Sequence, residues 1–261
     1  MERFVTVGGR RLRVAVRPGT ERDRPPLLLC NGIGTDLSTF QRFVDALDPA
    51  IGILRFDPPG AGGSQAPPLP YPFPLLARMV GQMVTELGYQ RFDVLGVSWG
   101  GGLAQQLALQ NPRRCRRLVL VATATGTVMV PAAPRVLLRM ATARRHHDAD
   151  YARAIAGDIY GGRMREHPEL VGELAGETSG RGYLYQLAAG LGWTSLPFLP
   201  LLRQRTLILA GADDPIIPLV NAQVMARLIR DAHLHVYPDG HLGLLTMTDE
   251  LATVVAAFLR S

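Results

Sequence analysis

The chain has 261 residues, 47% of them hydrophobic and 19% charged, a balance that suits one large α/β domain with a buried core and excludes a disordered chain. The net charge is +6 and every basic residue is an arginine; these are scattered apart from Arg113, Arg114, Arg116 and Arg117, and Arg144 with Arg145, so no basic stripe interleaved with aromatics argues for nucleic-acid binding. Cys30 and Cys115 make no disulfide framework, the N-terminus lacks a signal-type apolar core, and no apolar run nears ~18 residues, so the expectation is a cytoplasmic protein without a membrane span, its oligomeric state open.

Phe4–Val7 and Leu12–Val16 flank Gly8-Gly9, which predicts a β-hairpin. Leu12, Val14 and Val16 alternate with arginines, so one face of the second strand is wet. Five short, nearly continuous apolar runs follow: Leu27–Cys30, Ile51–Phe56, Phe92–Val97, Leu118–Val121 and Thr206–Leu209. Such runs suit parallel strands covered on both faces. Helical spacing appears over Leu37–Leu47, with Ser38 or Asp36 as N-cap, over Leu75–Leu87, and over Gly101–Gln110 before Pro112. Alternating strands and helices predict a mostly parallel, doubly wound α/β sheet. The alternation stops between about Val130 and Leu202, where no strand pattern is found. The expected organisation is a core of residues 1–129 and 203–261 with residues 130–202 inserted as a helical cap.

The strongest chemical signal is Gly96-Val97-Ser98-Trp99-Gly100, between the run Phe92–Val97 and the helix from Gly101. With 28 glycines and 6 serines in 261 residues, chance supplies this pattern about 0.07 times per chain. A serine between strand and helix needs a tight, strained turn, and glycines on both sides permit it. A serine hydroxyl also needs a base and a group that orients the base. Of the six histidines, His146, His147 and His167 fall in the expected cap, and His233 and His235 alternate within the strand-like Ala232–Tyr237. His241, in Asp239-Gly240-His241-Leu242-Gly243, follows that strand and is the candidate base. For the acid, the run Thr206–Leu209 ends in Ala210-Gly211-Ala212-Asp213-Asp214-Pro215. Either aspartate can project from it; Asp214 is preferred because Pro215 holds it extended. Asp239 is read as a turn former. The oxyanion hole is expected from the backbone N–H groups of Trp99 and of Ile33, within Asn31-Gly32-Ile33-Gly34. Asp57-Pro58-Pro59-Gly60-Ala61-Gly62-Gly63-Ser64 lacks the lysine of a phosphate loop and reads as a structural turn. No Cys/His cluster has metal-ligand spacing, so neither metal nor cofactor is expected.

Beyond these residues, the chain resembles the intracellular polyhydroxyalkanoate depolymerases of the medium-chain-length type over nearly its whole length. The segments that carry the resemblance are CNGIGT, FDPPGAGGS, GVSWGGGLAQQ, TATGTVMVP, IYGG, GLGWTS, ADDPIIPLVN and DGHL. The hydrolase elbow is shared by a very large superfamily, whereas TGTVMVP and GLGWTS are far more specific. The resemblance implies an α/β-hydrolase fold, the nucleophile on Ser98, the acid on Asp214 and the base on His241. It also implies storage granules in the cytoplasm and release of 3-hydroxyacyl units. Gly102 and Gly243 depart from the pattern, standing where larger residues are expected, which bears on side-chain-length preference.

The expected function is hydrolysis of a storage polyester to 3-hydroxyacids or oligomers through an acyl-enzyme, with a polyester granule surface or a small ester as partner. Met129, Tyr160, Tyr185, Trp193 and Phe198 are candidate liners of the acyl path, each equally open to a core-packing role. The rival readings are a carboxylesterase or carbon–carbon bond hydrolase acting on soluble molecules, a polyester synthase, for which a cysteine rather than Ser98 is expected at the elbow, and a non-catalytic granule-binding module, which has no use for a base and its orienter.

Overall fold

The computed structural model describes residues 1–261 apart from Arg22, residues 142–147, Ala175 and Glu177; Arg144, Arg145, His146 and His147 therefore lie outside the described residues. Eight strands form one sheet: β1 (Glu2–Val7), β2 (Arg10–Arg17), β3 (Leu27–Cys30), β4 (Ile53–Phe56), β5 (Phe92–Val97), β6 (Cys115–Val121), β7 (Arg205–Gly211) and β8 (Ala232–Tyr237). Their order is β1-β2-β4-β3-β5-β6-β7-β8. Gly8 and Gly9, with φ of 54° and 77°, close the β1–β2 hairpin as a two-residue turn. β2 then pairs antiparallel with β4, and all remaining pairs are parallel.

One feature of this order positions the site. From β3 the chain steps to β4 on one side, and from β5 it winds outward on the other. Cys30 at the end of β3 lies level with Gly96 near the end of β5. The loops leaving these two strands diverge from a shared point, the topological switch at the carboxyl ends of the strands where open α/β sheets place their ligand sites.

Both faces of the sheet are covered, which is why the strands read as unbroken apolar runs. In β6, Val119 and Val121 join the cluster beneath α1 (Gln41–Ala46) and α9 (Thr248–Arg260). Leu118 and Leu120 point the other way, into the cluster under α2 (Phe73–Glu86), α3 (Trp99–Gln110) and α7 (Leu219–Leu228). Burying each such side chain is worth about 1.5–3 kcal/mol.

The helix expected over Leu37–Leu47 is shorter: α1 begins at Gln41, its N-cap is Phe40, and no side chain caps it. Asp36 and Ser38 are not its caps because they are engaged in a turn of their own. The Asp36 carboxylate accepts the N–H and the hydroxyl of Ser38 at 2.8 and 2.5 Å. The N–H of Leu37 is drawn to Asp57 Oδ1 at 2.7 Å. Side-chain hydrogen bonds thus outcompete the first helical turn. The same buried Asp57 accepts the N–H of Gly63 at 2.9 Å, and Ser64 Oγ donates to the Asp57 carbonyl at 2.7 Å. The glycine-rich segment after β4 is a turn folded around one carboxylate, whose pKa burial pushes up.

Between β6 and β7 the described residues form α4 (Pro134–Ala141), α5 (Ala149–Tyr160), short 3₁₀ segments, α6 (Gly180–Gly190) and a further 3₁₀ stretch over Leu196–Leu201, with no strand. TGTVMVP and GLGWTS are the two ends of this excursion, and they bind each other. Thr127 N–H donates to the Trp193 carbonyl at 2.8 Å, and Ser195 N–H to the Thr125 carbonyl at 2.9 Å. Trp193 Nε1 donates to Gln106 Oε1 on α3 at 2.8 Å. Ser195 Oγ donates to the buried Gln105 Oε1 at 2.6 Å, while Gln105 Nε2 donates to the Ala124 carbonyl at 3.0 Å. Val130 exchanges two hydrogen bonds with the Asn221 carboxamide on α7. These specific segments are a clasp that closes the excursion onto α3 and α7.

The clasp also accounts for Gly102. A Cβ there would lie 3.0 Å from the Phe73 ring and 3.2 Å from that of Trp193, so the aromatic pair takes the space. Gly243, at the start of α8 (Gly243–Thr246), lies in the same way under the Tyr237 ring, 2.7 Å from Cζ. Both departures are packing solutions. Ser195→Ala would leave Gln105 Oε1 buried and unpaired, a loss of about 1–3 kcal/mol. A fall of several degrees in Tm is expected by calorimetry, and a Tm within about a degree of the parent would show the clasp contributes nothing.

Candidate active site

Ser98 leaves β5 with φ 53° and ψ −118°, a left-handed conformation that a residue with a Cβ adopts at a cost of order 1–3 kcal/mol. Its surroundings impose it. Ser98 N–H donates to the Val121 carbonyl at 2.9 Å. The Ser98 carbonyl accepts the Gly101 N–H at 2.9 Å and the Thr123 hydroxyl at 2.7 Å. Gly100 has no room for a side chain, because a Cβ would collide with the carbonyls of Cys30 and Asn31. That close approach of α3 to the end of β3 forces the chain to turn within one residue, and the turn lifts Ser98 above the strand ends. α3 starts at Trp99, two residues before the expected Gly101, so its N-terminus abuts Ser98.

Asp214 and His241 follow β7 and β8. His241 Nδ1 lies 2.8 Å from Asp214 Oδ2, with both side chains almost completely buried. Asp214 Oδ1 accepts the N–H groups of Ile216 and Ile217, each at 2.9 Å, from the turn that Pro215 begins. The carboxylate is therefore held by three donors, and the imidazole is left with Nε2 for other partners. Asp213 faces the other way, toward Arg165 and the N–H of Gly162 at 2.9 Å. The Arg165 guanidinium holds its carboxyl below the usual range. Asp239 is buried and serves the turn, with Oδ1 accepting from Gly240 N at 2.6 Å and Arg163 N at 2.7 Å, and Oδ2 accepting the Thr246 hydroxyl at 2.5 Å.

The loop after β3 runs beside the elbow, and a Cβ on Gly32 would stand 4.0 Å from that of Ser98. Among the described residues no acceptor takes the N–H of Ile33 or of Trp99. Gly34 N–H is occupied by Gln186 Oε1 at 2.7 Å. Cys30, at the root of this loop, is buried, and burial pushes its thiol up. Among the described residues no group of three or more His, Cys, Asp or Glu is arranged as metal ligands.

The candidate liners divide. Tyr160 sits by the imidazole: its carbonyl accepts the main-chain N–H of His241 at 2.7 Å and the two rings stack at 6.4 Å. Trp193 packs edge-on to Phe73 at 5.0 Å, in the clasp, and Phe73 in turn lies 5.0 Å from the Trp99 ring. Tyr185 donates its hydroxyl to the Pro68 carbonyl at 3.0 Å and meets Tyr71 edge-on. Met129 is half-buried in the clasp, and Phe198 is 48% exposed. The structure thus brings Tyr160 to His241, leaves Trp193 and Tyr185 in other contacts, and leaves Phe198 half-exposed. Sequence reading missed Gln186, whose partner Gly34 lies 152 residues away, and no local pattern points to it. It also missed the Gly161-Gly162 contact with Asp213 and Gly240, for which the two adjacent glycines of IYGG were the available signal.

A family model for the α/β-hydrolase fold matches residues 25–247. The poly(3-hydroxyalkanoate) depolymerase of Ectopseudomonas oleovorans is 47% identical over 99% of this chain and 92% of its own length. A hydrolase from Pseudomonas aeruginosa PA01 superposes with TM-score 0.83 at 26% identity, covering 100% of this chain and 98% of its own. The enol-lactonase of Burkholderia xenovorans LB400 reaches the same TM-score and identity, covering 99% and 100%. The chain belongs to the α/β-hydrolase superfamily and, within it, to the family of the poly(3-hydroxyalkanoate) depolymerases.

Proposed function

We propose that this protein is a serine ester hydrolase that depolymerises poly(3-hydroxyalkanoate), with a preference for medium-chain-length side chains. The observation that carries the chemistry is the buried Asp214–His241 pair, 2.8 Å apart, at the strand ends that also present the strained Ser98. The polymer rests on the 47% identity to a depolymerase over nearly the full chain. His241 Nε2 takes the Ser98 proton as Oγ attacks an ester carbonyl of the polymer. The N–H groups of Ile33 and Trp99 receive the oxyanion. Collapse expels the hydroxyl end of the next unit, protonated by His241, and leaves an acyl-enzyme. Water deprotonated by His241 then releases a 3-hydroxyacid or oligomer. Asp214 holds the imidazole tautomer and stabilises its charged form. Neither metal nor cofactor is required by this scheme.

In this reading residues 130–202 are a cap over the strand ends, and of the candidate liners Tyr160, beside His241, borders the acyl path. No helix of the described residues is long and apolar enough to cross a membrane. The excursion nevertheless exposes Leu137, Leu138, Leu184, Leu187, Leu191 and Phe198. We read this apolar surface as the face that meets the polyester granule in the cytoplasm. The second reading is hydrolysis of soluble esters, supported by the likeness to the enol-lactonase, or of carbon–carbon bonds.

Hydroxyacid release from medium-chain and short-chain polyester suspensions separates the two. Release from the medium-chain polymer, abolished in Ser98→Ala to at most about 10⁻³ of the parent rate, is the expected result. Cleavage of soluble esters alone would retain the hydrolase and discard the polymer, and full turnover by Ser98→Ala would discard the nucleophile. Asp214→Asn is expected to lower kcat by about 10²–10⁴. Asp213→Asn, which loses only an exposed pair to Arg165, should stay within about threefold. The reverse ranking would reassign the acid.

A further inference from the structure

Helix α6 carries one polar side chain that packing does not explain. Gln186 is completely buried. Its Oε1 accepts the N–H of Gly34, and its main-chain oxygen accepts the indole Nε1–H of Trp99, both at 2.7 Å. Gly34 directly follows Ile33. A single residue of the excursion is therefore bonded to both segments that supply the oxyanion hole, over separations of 152 and 87 residues. Tyr183, three residues earlier on α6, adds weight to the same contact: its ring lies 3.2 Å from where a Cβ of Gly34 would stand. Gly176 fits against Gly34 and Asp36 in the same way.

The remaining end of the carboxamide is informative. Gln186 Nε2 is buried and has no hydrogen-bond partner among the described residues. An unpaired buried donor destabilises the fold. A helix that had only to pack here would do better with methionine or leucine of the same reach. Local rules broken at a buried position mark sites retained for function, and what the carboxamide does make is the bond to the Ile33 loop.

We propose that Gln186 is a positioning residue for the oxyanion hole: it sets the spacing between the N–H groups of Ile33 and Trp99, so that the hole is complete only when α6 is seated. The inference rests on the serine-hydrolase reading above. Such a hole works only if its donors are pre-aimed at the charge that develops on the carbonyl oxygen, and Ile33 belongs to a loop whose neighbouring glycine depends on the cap for its hydrogen bond. The cap then does more than cover the strand ends.

The test uses Gln186→Met, which keeps the length and removes the acceptor, and Gln186→Asn, which keeps the amide and is one methylene too short to reach Gly34. The probes are a soluble acyl ester and an alkyl boronic acid, whose adduct with Ser98 mimics the tetrahedral oxyanion. Removing an oxyanion donor outright costs ~10²–10³ in kcat, so a displaced one predicts a loss of about 10–100-fold. KM should stay within about threefold, boronate affinity should fall by the same factor as kcat, and the acidic limb of the pH–rate profile should not move. Tm read alongside establishes that each variant is folded, and the Asn variant carries the test if the Met variant is not. Folded variants with parental kcat and boronate affinity would overturn the proposal. So would a rise in KM at constant kcat, which would make Gln186 part of the substrate wall. A parent protein that binds no boronate and cleaves no ester is a different failure, that of the serine-hydrolase reading itself.

Discussion

The contact of Gly100 with the carbonyls of Cys30 and Asn31 is the constraint on which the site depends. It lets α3 start against the end of β3. Because β3 and β5 are neighbours in register, with Cys30 opposite Gly96, the chain passing from β5 into α3 must reverse within one residue. Ser98 absorbs the reversal with φ 53°. The strain is local, and the hydrogen bonds of Ser98 to Val121, Gly101 and Thr123 offset it. The same register lets the loop after β3 run alongside the elbow, so Ser98 shares one end of the sheet with the N–H groups of Ile33 and Trp99, which have no acceptor among the described residues. One backbone contact places Ser98 and both N–H groups.

Around this fixed point the excursion between β6 and β7 is tied down at several places. Its ends close on each other through Thr125, Thr127, Trp193 and Ser195, and are pinned to α3 by Gln105 and Gln106. Midway, Tyr160 carries the main-chain hydrogen bond to His241, while Gly161 and Gly162 press on Asp213, Asp239 and Gly240 too closely for any side chain. Arg165 completes that contact with Asp213. Further on, α6 reaches the loop after β3 through Gln186. Each loop that carries a member of the site is thus bonded to the excursion as well as to the sheet. A group held from both sides loses little entropy when substrate arrives, and pre-organisation of this kind lowers the cost of reaching the transition state.

The glycines illustrate why family signatures and chemistry need not coincide. Gly102 and Gly243 look like departures that bear on substrate preference, yet each lies beneath an aromatic ring of the core or clasp. TGTVMVP and GLGWTS have no generic catalytic purpose, and they turn out to be two halves of one structural joint.

The sequence by itself determined the elements whose signals are short-ranged. The Gly8-Gly9 hairpin, the apolar runs of β3 and β5, the helix over α3 and the G-x-S-x-G elbow all follow from residues within a few positions of one another. The break in alternation after Val130 likewise marked the excursion without assigning its contacts. Local signals failed where a distant group competed. At Asp36-Leu37-Ser38 the buried Asp57 from beyond β4 drew off Leu37 and shortened α1. Between Asp213 and Asp214, adjacent and chemically identical, Pro215 favoured Asp214 as the partner of His241, and the tertiary structure supplies what occupies the other carboxylate, Arg165. The tertiary structure alone brought Gln186 to Gly34 and Trp99. Such hydrogen bonds join residues far apart in the chain, and their energy depends on the meeting of two surfaces, which no pattern within either segment encodes.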